Sequence, residues 1–181
     1  MNTKSITQVG VFIAIGIILP PVFHAVGLGN IVLPMHFAPL LCGLFSGPKE
    51  GFMCGIILPI ASFIIMAMPP LYPVGISMCI ELSAYGFVIG LLMQRLLLHI
   101  GVYLSSMVAL ISAMLAGRLL SGVFYFIFFQ FHGEVYTWSI FLSTMFIKAL
   151  PGIIIQIIII PFLATVILKK SNGSTLFSRK E

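Results

Sequence analysis

Long apolar runs alternate with short polar or proline-rich breaks along most of the chain. Most of these runs approach the roughly 20 residues that a membrane-spanning helix needs. One run is too short to span easily, which suggests a tilted or re-entrant helix shielded by its neighbours. Within an error of about two to four residues at each end, the pattern predicts six helices, at about 5–24, 35–47, 50–67, 74–98, 102–130 and 137–168.

The composition assigns these helices to a membrane. The chain has 181 residues, of which 60% are hydrophobic and 7% charged, whereas a soluble domain carries about 25% charged residues. We therefore expect an all-α membrane protein, a single bundle of six transmembrane helices over residues 1–168. A basic cytoplasmic tail follows at 169–181. The net charge of +5 sits mostly in short loops and this tail, where it indicates topology or lipid contact and no nucleic acid.

The lysines and arginines predict the orientation of the bundle. The predicted loops near 25–33, 68–74 and 131–136 contain none of them. Cytoplasmic loops carry an excess of these residues, so both termini are expected in the cytoplasm. The residues on that side are Lys4, Lys49, Arg95, Lys169, Lys170, Arg179 and Lys180.

Three charges remain within the apolar runs: Glu81, Arg118 and Lys148. A Lys, Arg or Asp near a helix centre costs about 2.5–3.5 kcal/mol on insertion scales, so each charge should face protein or water. At 1.5 Å per residue they lie about 10, 18 and 16 Å below the outer surface. All three are therefore expected in the outer half of the membrane, within reach of one another.

Helical spacing extends each of these charges into a polar or aromatic stripe that could line one cavity. A structural ion pair of Glu81 with Arg118 or Lys148 is the alternative. One acid cannot neutralise two bases, however, and the surplus positive charge favours an anionic or carboxylate-bearing ligand. The stripes are Ser77, Glu81 and Tyr85; Arg118, Ser121, Gly122 and Tyr125; and Thr144, Lys148 and Gly152.

Residues near the outer loops are weaker candidates. Asn30 and His36 could reach over the outer site, or could serve ordinary loop and cap chemistry. Trp138 is typical of an aromatic interface anchor, and stacking on a ligand ring is the alternative. No metal site is expected, since His24 and His36 have no acid or suitably spaced third ligand beside them. No nucleotide loop, cofactor motif or hydrolytic motif occurs, which disfavours an enzyme.

Small residues four apart indicate close helix packing. On the fourth and fifth predicted helices, internal packing is the expected role, for example at Gly86 and Gly90. On the first helix, Gly10 and Ala14 form a similar pair at the cytoplasmic half of a terminal helix. There a partner protein is as good an explanation as internal packing.

Four further stretches of the chain are informative: "LPMHFAPLLCGLFSGPKEG" at 33–51, "MPPLYPVGISMCIELSAYG" at 68–86, "AGRLLSG" at 116–122 and "LPGIIIQIIIIPFL" at 150–163. Together with the six-helix size and the Gly10/Ala14 pair, they resemble the substrate-binding S components of energy-coupling factor (ECF) vitamin transporters. The similarity covers essentially the whole chain.

The resemblance implies a function that the composition alone does not. Such proteins sit in the cell membrane of prokaryotes and bind a micronutrient from outside. They use the outer parts of helices 4 to 6 and the loops after helices 1 and 3. They then dock, through small residues on helix 1, on a membrane coupling subunit with two cytoplasmic ATPases. Gly10 and Ala14 would be this docking face, and a partner would hydrolyse ATP.

Within this family, the three charges fall where substrate is held. Their positive excess fits an acid such as pantothenate or folate, while riboflavin and other ring-bearing vitamins stay open. The nickel and cobalt branch is disfavoured because Asn2 stands where its members resemble each other in a histidine. Two other classes remain as alternatives, a self-sufficient carrier or channel and a structural membrane protein with internal ion pairs.

Overall fold

The computed structural model describes residues 2–133 and 137–170, without the side chains at positions 30, 31, 98 and 170. Most of the predicted basic tail therefore falls outside the described residues. Two π-helical segments, Leu71–Gly75 and Ser143–Ile147, interrupt the α-helices, and no strand occurs within the described ranges. The α-helices are α1 (Thr3–Ala25), α2 (Gly29–Val32), α3 (Pro34–Ser46), α4 (Pro48–Met66), α5 (Ile76–Ile100), α6 (Val102–Phe131), α7 (Trp138–Leu142) and α8 (Leu150–Lys170).

Five of the predicted helices correspond to single helices, α1, α3, α4, α5 and α6. The sixth prediction, one continuous helix over 137–168, is wrong. Residues 138–147 form α7 and a π-helical segment, and α8 starts only at Leu150. Pro151 provides the reason, because a proline inside a helix lacks the N–H for a backbone hydrogen bond and clashes with the carbonyl four residues earlier.

The surface of the protein is that of a multi-pass membrane protein. The helices α1, α4, α5, α6 and α8 are each long and apolar enough to cross a bilayer. Large apolar side chains stay exposed on them, among them Ile64 at 75% and Phe162 at 64%. Soluble proteins rarely expose contiguous apolar surface on this scale. The 13 residues of α3 extend only about 20 Å, less than the hydrocarbon thickness.

Glycines allow α3, α4 and α5 to pack with their backbones in contact. A Cβ atom on Gly43 or Gly51 would overlap the carbonyl of Gly86, and a Cβ on Gly86 would overlap the backbone of Gly51. Gly90 faces the start of α4 in the same way, against the backbone of residues 47 and 48. The expected internal role of the Gly86 and Gly90 pair is confirmed.

Helix α1 packs on α3 and α4 but buries little of itself. Its inner face includes Ser5, whose hydroxyl donates to Glu50 Oε1 at 2.8 Å and so links α1 to the first turn of α4. Gly10 and Ala14 lie on another face and are exposed. A Cβ on Gly10 would have no heavy atom within 4 Å among the described residues, so another helix could approach closely there.

Helix α5 is the centre of the bundle, in contact with α3, α4 and α6, while α8 packs against α6. The apolar core lies along this axis. At one end of this core, polar side chains are buried between α5, α6 and the segment that precedes α8. The fully buried core side chains include Leu40, Leu44, Leu58, Leu82, Ile89, Leu110 and Ile160.

Candidate functional site

On the α6-facing side of α5, Glu81 is a buried carboxylate. Only 7% of its surface is exposed. Tyr85, one helical turn further on, donates its hydroxyl hydrogen to Glu81 Oε1 at 2.7 Å. His36 Nε2, from the first turn of α3, lies 3.8 Å from the same oxygen. The carboxylate therefore has protein partners on one of its two oxygens.

Helix α6 presents a polar face to α5. Ser121 and Ser77 are buried and their hydroxyl oxygens are 2.6 Å apart, which joins the two helices by a hydrogen bond. Gly117 leaves space for the Tyr85 ring, which a Cβ atom at that position would overlap. Apart from Gly122, which faces Phe141, the polar stripes predicted on these two helices therefore face each other.

Arg118 lies on the same face of α6 and is 3% exposed. Its Nε has no hydrogen-bond partner, and its Cζ lies 5.6 Å from the centre of the Phe146 ring. Glu81 and Arg118 are not within 4.0 Å of each other, so within the described residues they form no ion pair. A buried guanidinium with an unused donor is costly, and an anion beside it would supply the missing acceptor.

These groups surround a cavity of about 220 Å³, which we call the charged cavity. It lies between α3, α5, α6 and the segment that joins α7 to α8. Its walls combine hydroxyls, one carboxyl group, one guanidinium, one imidazole and two thioethers. The lining residues are Leu33, His36, Ser77, Met78, Glu81, Arg118, Ser121, Tyr125, Thr144, Met145 and Ala149.

The structure brings together part of the predicted site. The residues that line the charged cavity include Glu81, Arg118, His36 and Tyr125. Tyr85 does not line the cavity but donates a hydrogen bond to Glu81. The side chain of Asn30 lies outside the described residues.

Two predicted site residues lie elsewhere. Lys148 is exposed and is not among the residues that line the charged cavity. Trp138 is 69% exposed and lines a separate apolar crevice between α6 and α7 together with Phe141 and Gly122.

A shift in helical register explains the position of Lys148. In α8 the buried positions recur every four residues from Gly152, and a continuous helix would place Lys148 and Thr144 next in that series. Before the break, the buried positions are instead Ala149, Met145 and Phe141. Of the expected stripe of Thr144, Lys148 and Gly152, Thr144 lines the charged cavity, whereas Lys148 and Gly152 do not. The series after the break continues with Gln156, Ile160, Ala164 and Leu168.

Some cavity residues were not predicted as site residues from the sequence. Met78 and Met145 are apolar residues in apolar runs, and no sequence signal separates them from lipid-facing ones. Leu33 lines the cavity from the α2–α3 junction, where it has a left-handed backbone with φ of 53°. This is uncommon for a residue other than glycine, and only the structure reveals it. Among the described residues, no group of three His, Cys, Asp or Glu side chains could hold a metal ion.

Comparison with protein families gives a match over most of the chain. A family model described as the substrate-specific component of ECF transporters matches residues 4–164. No curated protein matches the chain, and no solved structure does. The family match covers all the candidate site residues as well as Gly10 and Ala14. The chain therefore belongs to the family of substrate-specific components of ECF transporters.

Proposed function

We propose that this protein is the high-affinity binding subunit of an ATP-driven ECF importer, and that it captures a small, anionic, water-soluble vitamin or precursor from outside. Membership of the family supports a substrate-specific membrane subunit that acts with ECF partners. The single observation that supports an anionic substrate is the burial of Arg118 in the wall of the charged cavity, where its Nε lacks a hydrogen-bond partner.

The hydrogen-bond partners favour an anion over a cation. Glu81 already accepts from Tyr85 and has His36 nearby, whereas Arg118 keeps an unused donor. A carboxylate is planar and matches the fork of a guanidinium. The hydroxyls of Ser77 and Ser121 could bind further polar groups of the ligand. Pantothenate-like and folate-like acids are thus the first candidates.

The proposed topology has six membrane-crossing segments and both termini in the cytoplasm of a prokaryotic cell. The charged cavity then lies in the outer half of the membrane, where substrate arrives. The positive-inside distribution of lysine and arginine supports this orientation. Cysteine labelling from either side of the membrane, at position 49 and in the 68–74 loop, would test it. Reagent access from the same side at both positions would contradict it.

Helix α1 is the proposed docking face for the membrane coupling subunit, which two ATPase subunits would drive. Gly10 and Ala14 are exposed, and small residues let another helix approach closely in lipid. Gly10→Leu and Ala14→Leu should abolish ATP-dependent uptake while ligand affinity stays unchanged. Val11→Leu, at a 53% exposed neighbour, is the matched control and should retain uptake. A loss of ligand binding in the Gly10 or Ala14 variant would remove the docking role.

The experiment that tests the proposal is a thermal-shift screen of the purified protein against water-soluble vitamins and their precursors. We expect one compound to stabilise the protein at micromolar concentration or below, and Arg118→Gln to lose most of that shift. Liposomes then separate the functional classes. Uptake should require the ATPase module, and uptake by the purified subunit alone would instead indicate a self-sufficient carrier.

A further inference from the structure

A second cavity of about 420 Å³ adjoins the charged cavity. It lies between the C-terminal ends of α1 and α4 and the start of α3. We call it the thioether chamber because four of the ten methionines of the chain line it. Its lining residues are Pro20, Pro21, His24, Gly29, Leu33, Pro34, Met35, His36, Ser62, Met66, Met68, Pro69 and Met78.

The thioether chamber is apolar, in contrast to the charged cavity. Its one hydroxyl, that of Ser62, already donates to the carbonyl of Met68 at 2.8 Å. That hydrogen bond holds the chain after α4 in the chamber wall. Gly29 allows the imidazole of His24 to lie against the backbone, since a Cβ there would overlap the ring. Prolines and thioethers form most of the remaining wall, so the chamber suits an apolar group.

The two cavities share a wall. Leu33, His36 and Met78 line both of them. The left-handed backbone at Leu33, with φ of 53° and ψ of 53°, turns the chain between α2 and α3 at this wall. A molecule bound at Arg118 would have to pass between these three side chains to reach the thioether chamber.

We infer that the substrate is an amphipathic organic anion, whose carboxylate binds at Arg118 and whose apolar part fills the thioether chamber. This inference depends on the proposed function. Ligand pockets typically enclose about 300–1,000 Å³, and the charged cavity with about 220 Å³ falls below that range. The chamber supplies the missing volume. Methionine side chains are flexible and polarisable and adapt to the shape of an apolar group.

Straight-chain carboxylates of increasing length test the inference without knowledge of the natural substrate. Each methylene transferred to an apolar site contributes about a fourfold gain in affinity. Octanoate should therefore bind at least tenfold more tightly than butanoate. Heptan-1-ol has the same seven-carbon alkyl chain as octanoate without the charge, and it controls for partition into the bilayer. The protein is held in lipid nanodiscs with all three probes added separately.

The methionines themselves report where each probe binds, through NMR of ¹³C-methyl-labelled methionine. Met145 lines only the charged cavity, while Met66 and Met68 line only the thioether chamber. Butanoate should shift the Met145 signal alone, and octanoate should shift all three. Arg118→Gln should abolish both responses at matched concentrations. The buried Met93 lines neither cavity and should not respond.

A pair of variants on α4 separates the two cavities. Met66→Phe reduces the volume of the thioether chamber. It should lower the affinity for octanoate at least fivefold and leave the affinity for butanoate unchanged. Met53→Phe, on the same helix but outside the chamber, is the matched control and should change neither. If Met145 responds but Met66 and Met68 do not, and affinity is independent of length, the inference is wrong while the proposed function stands. If no carboxylate shifts Met145, the proposed anion site itself is wrong.

Discussion

Arg118 and Lys148 are both single basic residues within apolar runs, yet the protein places them in opposite environments. Arg118 is 3% exposed within the uninterrupted 30-residue helix α6. Lys148 is exposed and lies between a π-helical segment and the start of α8. Arg118 faces the polar stripe of the neighbouring helix α5. Lys148 lies beside the buried face that Met145 and Ala149 form.

The difference shows that a charge in an apolar run does not by itself locate a binding site. Around Arg118, helices α5 and α6 are regular, and Gly117 and Ser121 let the two polar faces meet. Around Lys148, the helix breaks before Pro151 and the inward register shifts by one residue. A shift of one residue is a rotation of about 100° on a helix. Regularity of the helix therefore decides which charge enters the cavity.

The largest expected effect compares these two residues directly. Arg118→Gln should weaken the tightest ligand from the vitamin screen by about ten- to a hundredfold, since a hydrogen bond to a charged group contributes about 1.5–3 kcal/mol. Lys148→Gln should change affinity by less than about threefold, within the small range of exposed charges. Isothermal titration of both variants in one detergent measures this. Equal losses would put Lys148 in the site and contradict the comparison.

A second prediction concerns packing beside Arg118. Gly117→Ala introduces a Cβ that would overlap the Tyr85 ring, and overpacking of this kind costs about 1–3 kcal/mol of stability. Gly10→Ala is the matched control, because no heavy atom lies within 4 Å of its new Cβ. It should be neutral or stabilise α1 by up to about 1 kcal/mol through helix propensity. Thermal unfolding of both variants is the measurement, and an unperturbed Gly117→Ala protein would contradict the tight α5–α6 contact.

Sequence periodicity predicted much of this arrangement where the helices are regular. The ends of α1, α3, α4, α5 and α6 followed from the apolar runs and their proline and glycine breaks. The convergence of Glu81 and Arg118 on one cavity followed from depth and from four-residue spacing on straight helices. Both are local properties, since they depend on a few neighbouring residues in a known geometry.

The remainder depends on places where the backbone departs from that geometry. Pro151 lies in the first turn of α8, and the sequence does not indicate how many residues before it lose the helical register. The thioether chamber depends on the left-handed turn at Leu33 and on contact between two stretches that are separated in sequence, residues 20–36 and 62–78. Single-residue register and the packing of distant loops are tertiary effects, which a local pattern does not encode.

A smaller effect is expected at Tyr85, on the regular side of the comparison. Tyr85→Phe removes the hydrogen bond of 2.7 Å to Glu81 Oε1 and leaves a buried carboxylate with one partner fewer. A lost hydrogen bond to a charged group costs about 1.5–3 kcal/mol, reduced here by the nearby His36. We expect a loss of stability of about 1 kcal/mol or more in chemical unfolding. Tyr103→Phe, at a 57% exposed tyrosine of α6, should have no effect, and equal losses in the two variants would deny Tyr85 this role.

The smallest expected effect comes from a variant that restores a continuous helix around Lys148 and so removes the structural difference between the two basic residues. Pro151→Ala allows a helical hydrogen bond at position 151 and removes the clash of the proline ring. In a continuous helix Lys148 would take the inward place that Ala149 now occupies. In an Arg118→Gln background, this change should recover about two- to fivefold of the lost affinity, less than the full loss, because an ammonium lacks the planar fork of a guanidinium. The recovery should disappear when Lys148→Gln is added. A recovery that persists without Lys148 would show that Pro151 acts through general repacking, and helical register would then not explain why the two basic residues differ.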